Sequence, residues 1–360
     1  MARALRLAER GLYTTMPNPR VGCVIARGDE VLGEGWHERA GEPHAEVFAL
    51  RTAGARARGA TAYVTLEPCS HVGRTPPCAD ALVAAGIARV VAATQDSNPR
   101  VAGGGFAALR AAGVTVETGL LQTQARELNR GFFARVERGR PWLRIKLATS
   151  LDGRTALANG ESKWITGEPA RADVQRWRAR SSAILTGSGT ALADDPRLTV
   201  RADLRDTDGA RVDDPARPLR VVLDSRLRTP AGAALLDGAA PTLFLHAAGA
   251  HADDARFARL ECEVVASDAQ GRLDLGAALA ALARRGANEV QVEAGPTLCG
   301  ALLEAGLVDE VLLYVAPLLL GDRARGLFDL APLTSMQAAR RLRVVDRRML
   351  GEDERILLRN

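Results

Sequence analysis

Lysine is almost missing from this chain. All but two of its 48 basic residues are arginine, the exceptions being Lys146 and Lys163. Aromatic residues make up 4% and there are five cysteines. No run approaches the roughly 20 apolar residues that a membrane span needs. Each shortage excludes something. With no dense Lys/Arg tract and few rings to stack on, the net charge of +5 is weak evidence for nucleic acid. Arginine and alanine excess with lysine depletion reads as the coding bias of a G+C-rich genome, and a mild basic excess suits a small anionic substrate. An odd number of cysteines argues against a disulfide framework. The opening MARALRLAERG lacks the apolar core of a signal peptide. A cytoplasmic protein is therefore expected, bound to neither membrane nor nucleic acid.

The 360 residues exceed one ordinary core and predict two domains. VGCVIA from Val21, AYVTL from Ala62, ARVVAAT from Ala88 and VTVETG read as strands, with AEVFALRTAGARA and GFAALRAAG as helices between them. That alternation predicts a layered α/β sheet, running through a helix to about Val136. ERGRPW, Glu137 to Trp142, carries the breakers Gly139 and Pro141 and predicts a boundary, giving domains 1–139 and 140–360. Beyond it, LRIKLATS, SAILTG, PLRVVLD, PTLFLH, EVQVEAG and EVLLYVAP read as strands of a second α/β domain. The acidic, unpatterned stretch from Arg201 to Arg217 reads as a surface loop.

EPCSHVGRTPPC places Cys69 and Cys78 together, and GEPHAEVFAL supplies an H-x-E pair, His44 and Glu46, at a helix start. Three such ligands leave a fourth position open for water, as a catalytic zinc site requires. Zinc deaminases use this set, with a glutamate that is not a ligand moving the proton. A lone histidine at a helix start is more often structural, and two cysteines can be inert core residues. The combination of H-A-E with P-C and a second cysteine at strand-to-helix junctions is far more specific. It assigns zinc to His44, Cys69 and Cys78 and proton transfer to Glu46, with Cys69 expected near a helix N-terminus. Eight residues separate the cysteines where most zinc deaminases have two, and His71 is a competing ligand, disfavoured because the H-x-E spacing selects His44. Cys23, Cys262 and Cys299 read as buried apolar residues.

MPNPRVGCVI, GEGWHERAGEPHAE, YVTLEPCSHVGRTPPC and QDSNPRVAGGG closely resemble the bifunctional deaminase–reductase family of riboflavin biosynthesis. The likeness continues through SLDGRTALANGESKWIT, ILTGSGTALADDPRLTVR and VEAGPTLCGALLEAGLVDE, and is weakest between Arg201 and Leu273. The long insert between the cysteines is that family's own form of the motif. The resemblance implies a cytidine-deaminase-like α/β/α domain followed by a dihydrofolate-reductase-like α/β domain. The first would hydrolyse the 2-amino group of 2,5-diamino-6-(5-phosphoribosylamino)-4-pyrimidinone. The second would use NADPH to reduce the ribosyl group of the product. It also implies that Asn18, His37, His71 and Arg74 face the first substrate. Ala148, Trp164, Thr190, Asp194, Ser225 and the run Gly295, Pro296, Thr297, Leu298, Cys299, Gly300 and Ala301 would bind NADPH. Lys146, Ser162, Arg178, Leu198, Arg201 and Glu293 would face the second substrate. A homo-oligomer is expected, of unspecified order.

The reductase half is hard to read without that likeness. TGSGTAL and GGGF are glycine-rich, yet neither completes a dinucleotide fingerprint, and each alone reads as a turn. EVQVEAGPTLCGALLEAG is better: a strand ends at Glu293, and Pro296 starts a helix whose N-terminal amides can hold a pyrophosphate. Ser225 and Arg226 follow a strand end, where Arg226 is expected to read the 2′-phosphate of NADPH while Asp224 turns away. Two alternatives compete: a monofunctional deaminase with a binding-only second domain, and a zinc-stabilised scaffold. The intact SLDGR, ADDPRLTVR and VEAGPTL stretches count against the first. Glu46, which no structural role requires, counts against the second.

Overall fold

The computed structural model describes residues 1–70, 77–99, 101–250, 255–257 and 260–360. The chain forms two compact units, Met1–Gly139 with Asp203–Ala216, and Arg140–Ala202 with Arg217–Asn360. The stretch expected to be a surface loop is thus part of the first unit, and it is ordered. An Arg205–Arg211 bridge and a Val212 N–H to Leu204 carbonyl bond make it a hairpin. Leu204 is buried in it. Its acidic composition hid that single apolar anchor.

The first unit runs α1 (Ala2–Arg10), β1 (Gly22–Arg27), β2 (Glu30–Trp36), α2 (Ala45–Ala53), β3 (Thr61–Val64), α3 (Cys78–Ala84), β4 (Arg89–Ala92), α4 (Gly104–Ala111), β5 (Thr115–Thr118), α5 (Gln122–Leu128) and α6 (Arg130–Arg138). The sheet order is β2-β1-β3-β4-β5. β1 pairs antiparallel with both neighbours, and β3, β4 and β5 are parallel. The core is small-residue-rich: Ala45, Ala49, Ala53, Ala62 and Ala79 pack with Cys23, Ile25, Val64, Val90 and Leu82. Such side chains let helix and sheet backbones approach closely. Strand β2 was not legible because Gly33 and Gly35 interrupt its pattern. Those glycines are its function: a Cβ at Gly33 would lie 2.2 Å from the Ala49 carbonyl oxygen, and one at Gly35 2.5 Å from that of Ala45. Helix α2, which begins at the H-A-E motif, is seated against β2 by their absence of side chains.

The second unit runs β6 (Trp142–Ser150), β7 (Arg154–Ala156), α7 (Glu168–Ala179), β8 (Ala183–Gly187), α8 (Ser188–Asp194), β9 (Leu219–Leu223), β10 (Thr242–His246), β11 (Glu261–Val264), α9 (Leu275–Arg284), β12 (Glu289–Val292), α10 (Pro296–Glu304), β13 (Glu310–Ala316), β14 (Arg325–Gly326), β15 (Arg343–Leu350) and β16 (Asp353–Arg359). Nine strands form one sheet in the order β11-β10-β9-β8-β12-β6-β13-β16-β15. From β11 to β13 every pairing is parallel, and β16 runs antiparallel to both β13 and β15. The central strands are covered on both faces, so they read as continuous apolar runs. The edge strands β11 and β15, and β16 beside the latter, lacked that signal. Cys23 and Cys299 are buried as expected, but Cys262 is only half-buried, on edge strand β11.

Gly33→Ala should destabilise the first unit by about 1–3 kcal/mol, because the new methyl meets helix backbone that cannot swing aside. Gly232, with nothing within 4 Å of its missing Cβ, is the control, and Gly232→Ala should stay within about 0.5 kcal/mol. Denaturant unfolding of the two variants checks this, and equal stability would show that α2 does not depend on that approach.

Candidate active sites

His44 occupies the N-cap of α2, yet its side chain makes no capping hydrogen bond. The imidazole is instead turned to the two thiols. Its Nδ1 lies 3.3 Å from Cys78 Sγ and 3.5 Å from Cys69 Sγ, and all three donor atoms fall within 4.8 Å of one another. Two ligands on one tetrahedral zinc, at about 2.3 Å for sulfur and 2.0–2.1 Å for nitrogen, stand about 3.6 Å apart. The separations fit one small thiophilic ion, and among the described residues this is the one such cluster. The thiols ionise as a pair. The Cys78 thiol, the His44 ring and the Cys78 amide hydrogen-bond the Cys69 sulfur, taking its pKa down to about 4. The Cys78 thiol, hydrogen-bonded to that sulfur and buried, is pushed up.

Cys69 is not at a helix start. It lies in the non-helical stretch after β3, while Cys78 is the first residue of α3. Two bonds tie them: the Cys78 amide donates to Cys69 Sγ at 3.3 Å, and the Ala79 amide to the Cys69 carbonyl at 3.1 Å. Glu46, in the first turn of α2, is buried at 3% exposure. Its Oε2 has no hydrogen-bond partner among the described residues. Desolvation raises its pKa to about 7, against the opposing pull of His44 and a hydrogen bond with Cys78. A buried carboxyl with one open oxygen, beside three side chains that could hold a metal ion, can exchange a proton with a molecule that enters.

Next to this chamber, His37 is buried, and its ring meets that of His44 edge-on with centroids 5.3 Å apart. Its Nδ1 lies 3.2 Å from the Pro43 carbonyl and its Nε2 3.0 Å from Asn18 Nδ2. The carbonyl only accepts, so Nδ1 carries the proton and Nε2 accepts from the Asn18 amide. Burial favours this neutral form by lowering the His37 pKa. Asn18 is thereby fixed with its carbonyl directed away from His37. His71 and Arg74 lie outside the described residues.

Sequence reasoning missed Glu67. Its buried carboxylate accepts from the amides of Asp96 at 3.2 Å, Gly103 at 3.1 Å and Phe106 at 3.1 Å. It thus caps the start of α4 and anchors the strand end two residues before Cys69. The GGGF motif is explained by the same contact. A Cβ at Gly105 would lie 1.9 Å from the Pro68 carbonyl oxygen, and one at Gly104 2.7 Å from Ser70 Oγ. The glycines let the cysteine loop lie on the helix backbone. A carboxylate placed between a strand and a proline was the available signal.

The second unit carries a cleft of about 1250 Å³ at the carboxyl ends of the parallel strands, where open α/β sheets bind ligands. Lys146 and Ala148 line it from β6, Thr190 and Asp194 from α8, Ser225 from the turn after β9, and Glu293, Gly295, Pro296, Thr297, Leu298 and Ala301 from β12's end and α10. Ser162, Trp164, Arg178, Leu198 and Arg201 complete the expected set. Cys299 and Gly300 do not line it. Cys299 is fully buried, and a Cβ at Gly300 would sit 2.1 Å from the Asp329 carbonyl oxygen, so this face of α10 belongs to the core. Arg226 is also absent from the lining, whereas Arg228 is present and donates to Ser188 Oγ at 3.1 Å. Asp224 turns away, accepting from the Thr229 amide and hydroxyl.

Buried charges fix the floor of this cleft. Arg178 holds Glu293 bidentately at 2.7 Å on both oxygens, and Gln291 donates to Glu293 Oε1. Burial pushes the Glu293 carboxyl up, but Arg178 and Lys146 outweigh it and hold it at about 2. Desolvation lowers the Lys146 pKa, with Glu293 opposing and Arg178 reinforcing. At α10, Gly295 is the N-cap and donates its amide to Thr190 Oγ1, while Pro296 occupies the first turn. Thr297 and Leu298 of its first turn line the cleft, and free amides of a helix start can hold an anion. Trp164 stands 69% exposed in the wall, a flat apolar face beside open space.

Comparisons with known proteins match two separate stretches of the chain. Residues 1–94 match the family described as the cytidine and deoxycytidylate deaminase zinc-binding region, and residues 141–354 match the RibD C-terminal domain. The riboflavin biosynthesis protein RibD of Escherichia coli (strain K12) is 51% identical over 356 residues, spanning 98% of this chain and 96% of that protein. Its counterpart in Haemophilus influenzae is 46% identical over 357 residues, 98% and 94%. A solved structure of RibD from Acinetobacter baumannii superimposes with a TM-score of 0.90 at 46% identity, covering 99% of this chain and 97% of that one. A Thermotoga maritima structure described as a diaminohydroxyphosphoribosylaminopyrimidine deaminase/5-amino-6-(5-phosphoribosylamino)uracil reductase gives 0.83 at 30% identity, covering 100% and 97%.

Because Glu67 acts on Cys69 through the loop they share, Glu67→Gln should leave the fold intact and weaken zinc retention about 10–100-fold. The amide keeps one acceptor but turns an N–H₂ group towards backbone donors. Competition with a chelator, followed by a zinc-sensitive dye, measures this; wild-type affinity in the variant would remove Glu67 from the metal's support.

Proposed function

We propose residue roles on one premise: the chain belongs to the RibD family, bifunctional enzymes of riboflavin biosynthesis that join a deaminase to a reductase. It is accordingly both a hydrolase and an oxidoreductase, with zinc and NADPH as cofactors. The observation that carries the first half is the convergence of His44, Cys69 and Cys78 beside the buried carboxyl of Glu46.

In the deaminase, His44, Cys69 and Cys78 hold zinc, which when bound supplies an activated water at neutral pH. Glu46 takes a proton and returns it to the departing 2-amino nitrogen of 2,5-diamino-6-(5-phosphoribosylamino)-4-pyrimidinone. Its near-neutral pKa suits both directions of transfer. Asn18 and His37 orient the pyrimidine, and His71 and Arg74 are assigned to the same substrate by family likeness. In the reductase, the α10 amides from Gly295 onwards take the pyrophosphate of NADPH, and Trp164, Ala148, Thr190 and Asp194 shape its bed. NADPH supplies the hydride. Lys146, Arg178 and Glu293 form the charged floor for the ribosyl carbon, with Ser162, Leu198 and Arg201 around its phosphate arm. These groups align the reactants, which is the protein's main task in hydride transfer. A reducing cytoplasm suits the two zinc thiolates, and a homo-oligomer fits the reading without being needed for either site.

Purified protein given the diaminopyrimidine, with and without NADPH, tests the reading by mass and absorbance. Glu46→Gln should retain zinc and lose about 10²–10⁴ in deamination rate. Its reductase, supplied with deaminated intermediate, should be unchanged. Persisting deamination would end the Glu46 assignment.

For cofactor choice, Ser225 and Arg228 are the groups to remove. A charge-assisted hydrogen bond contributes roughly 1.5–3 kcal/mol, so Ser225→Ala with Arg228→Ala should raise the KM for NADPH about tenfold or more, at 1.4 kcal/mol per decade. NADH kinetics should hardly move, and Arg226→Ala should be near wild type. Equal losses with both cofactors would show that this corner does not read the 2′-phosphate.

A further inference from the structure

The hairpin Asp203–Ala216 comes from the second half of the sequence and packs in the first unit. It is organised around one carboxylate. Asp206 Oδ1 accepts from the amides of Asp208 and Ala210, closing the turn, while Oδ2 accepts from Arg10 Nε at 2.9 Å. The Asp206 side chain is 8% exposed. Arg10 also reaches Asp208 at 3.3 Å, and its guanidinium lies 3.9 Å from the centroid of the Trp36 ring. Trp36 is the residue before His37. On the other flank, Arg39 donates to the Asp213 and Asp214 carbonyls and to the Asp214 carboxylate. A third grip is the Ala216 amide on the Tyr13 carbonyl at 2.8 Å. Tyr13 sits in the turn Gly11–Tyr13, whose Gly11 lies so close to the His37 segment that a Cβ would come 2.8 Å from the His37 carbonyl oxygen.

We propose that this hairpin is a positioning element for the deaminase: through Arg10, Arg39 and Tyr13 it holds the backbone on both sides of His37, and hence the His37–Asn18 pair that faces the pyrimidine. The inference rests on the substrate-facing role of that pair. Among the described residues no hydrogen bond or ion pair joins the hairpin to His44, Glu46, Cys69 or Cys78, so its loss should act on substrate alignment and leave metal binding alone. Loosening groups that hold the substrate equally in the ground and transition states removes uniform binding, which raises KM and leaves kcat nearly unchanged. The position of the hairpin in the chain explains why its acids, Asp206, Asp213 and Asp214, looked like solvated loop charge: their arginine partners lie some 170 to 200 residues upstream.

The test uses the full-length, zinc-loaded enzyme. Asp206→Ala and Arg10→Ala should each raise the KM for the diaminopyrimidine about tenfold, with kcat within about twofold, zinc content unchanged and the reductase steady state unchanged. The double variant should be no worse than the poorer single one, because both remove the same contact. Asp206→Asn, which can keep the turn but not the ion pair, should fall between. His37→Ala is run alongside. If it raises KM while Asp206→Ala and Arg10→Ala do not, the hairpin has no positioning role. If His37→Ala itself leaves KM unchanged, the substrate-facing reading fails first and the hairpin's role with it. A parallel fall in zinc content or in reductase rate in Asp206→Ala would make the hairpin a general structural part and also overturn the proposal.

Discussion

The deaminase centre depends on how one loop is held. Cys69 has no helix of its own to fix it, and its partner Cys78 stands nine positions further along the chain. Besides the bonds of Cys69 to the Cys78 and Ala79 amides, its loop is held by the Glu67 carboxylate, which accepts from two backbone amides at the start of α4, Gly103 and Phe106, and from that of Asp96 after β4. A buried carboxylate without such donors would be costly; with three it becomes a rigid peg, and the helix end welcomes its charge. The peg requires glycine at 104 and 105, because the loop lies on the helix backbone itself. The other two ligands are held by different means: His44 by the seat of α2 on Gly33 and Gly35, Cys78 by the first turn of α3. Three independent elements therefore have to agree to within a few tenths of an ångström before an ion can be shared.

That arrangement explains what could be read in advance. A metal site needs particular side chains, and His44, Glu46, Cys69 and Cys78 stand out because few residue types can replace them. The supporting parts are glycines, a carboxylate and backbone amides, whose meaning is three-dimensional. GGGF looked like a turn, β2 looked like noise, and Glu67 drew no notice. In the second unit the imbalance is larger. Hydride transfer asks the protein for a bed more than for reagents, so the cleft is built from strand ends, a helix start and common residues such as Ala148 and Thr190. Family likeness found these; residue chemistry alone did not. It could not tell which side of α10 faces the cleft either, and helical geometry puts Cys299 and Gly300 in the core.

Charge is handled differently in the two units. Beside the His44, Cys69 and Cys78 cluster, burial raises the Glu46 carboxyl to about 7. On the reductase floor the Glu293–Arg178 pair is committed: Glu293 is held ionised by Arg178. The first environment suits a group that must gain and lose a proton in each cycle. The second suits groups that stay charged while a hydride, itself an anion, is transferred.

The arginine excess finds its place here too, and it shows why Lys146 is an exception. Arg144, fully buried, bonds Glu310 and Glu289 and stacks on Trp177. Arg220, also fully buried, donates to Thr242, Asp237 and three backbone carbonyls. A planar fork with five donors can satisfy many acceptors inside a protein, so these two arginines serve as internal scaffolding. Lys146 sits in the same sheet, on the strand that carries Arg144, but opens into the cleft. There a guanidinium would always be charged and would fill the space with its fork. An ammonium is compact, and its pKa falls as it is desolvated. Facing Glu293 and Arg178, Lys146 is the one cation on the floor whose charge the surroundings can tune, which is a physical reason for a lysine at this position in a chain that otherwise avoids them.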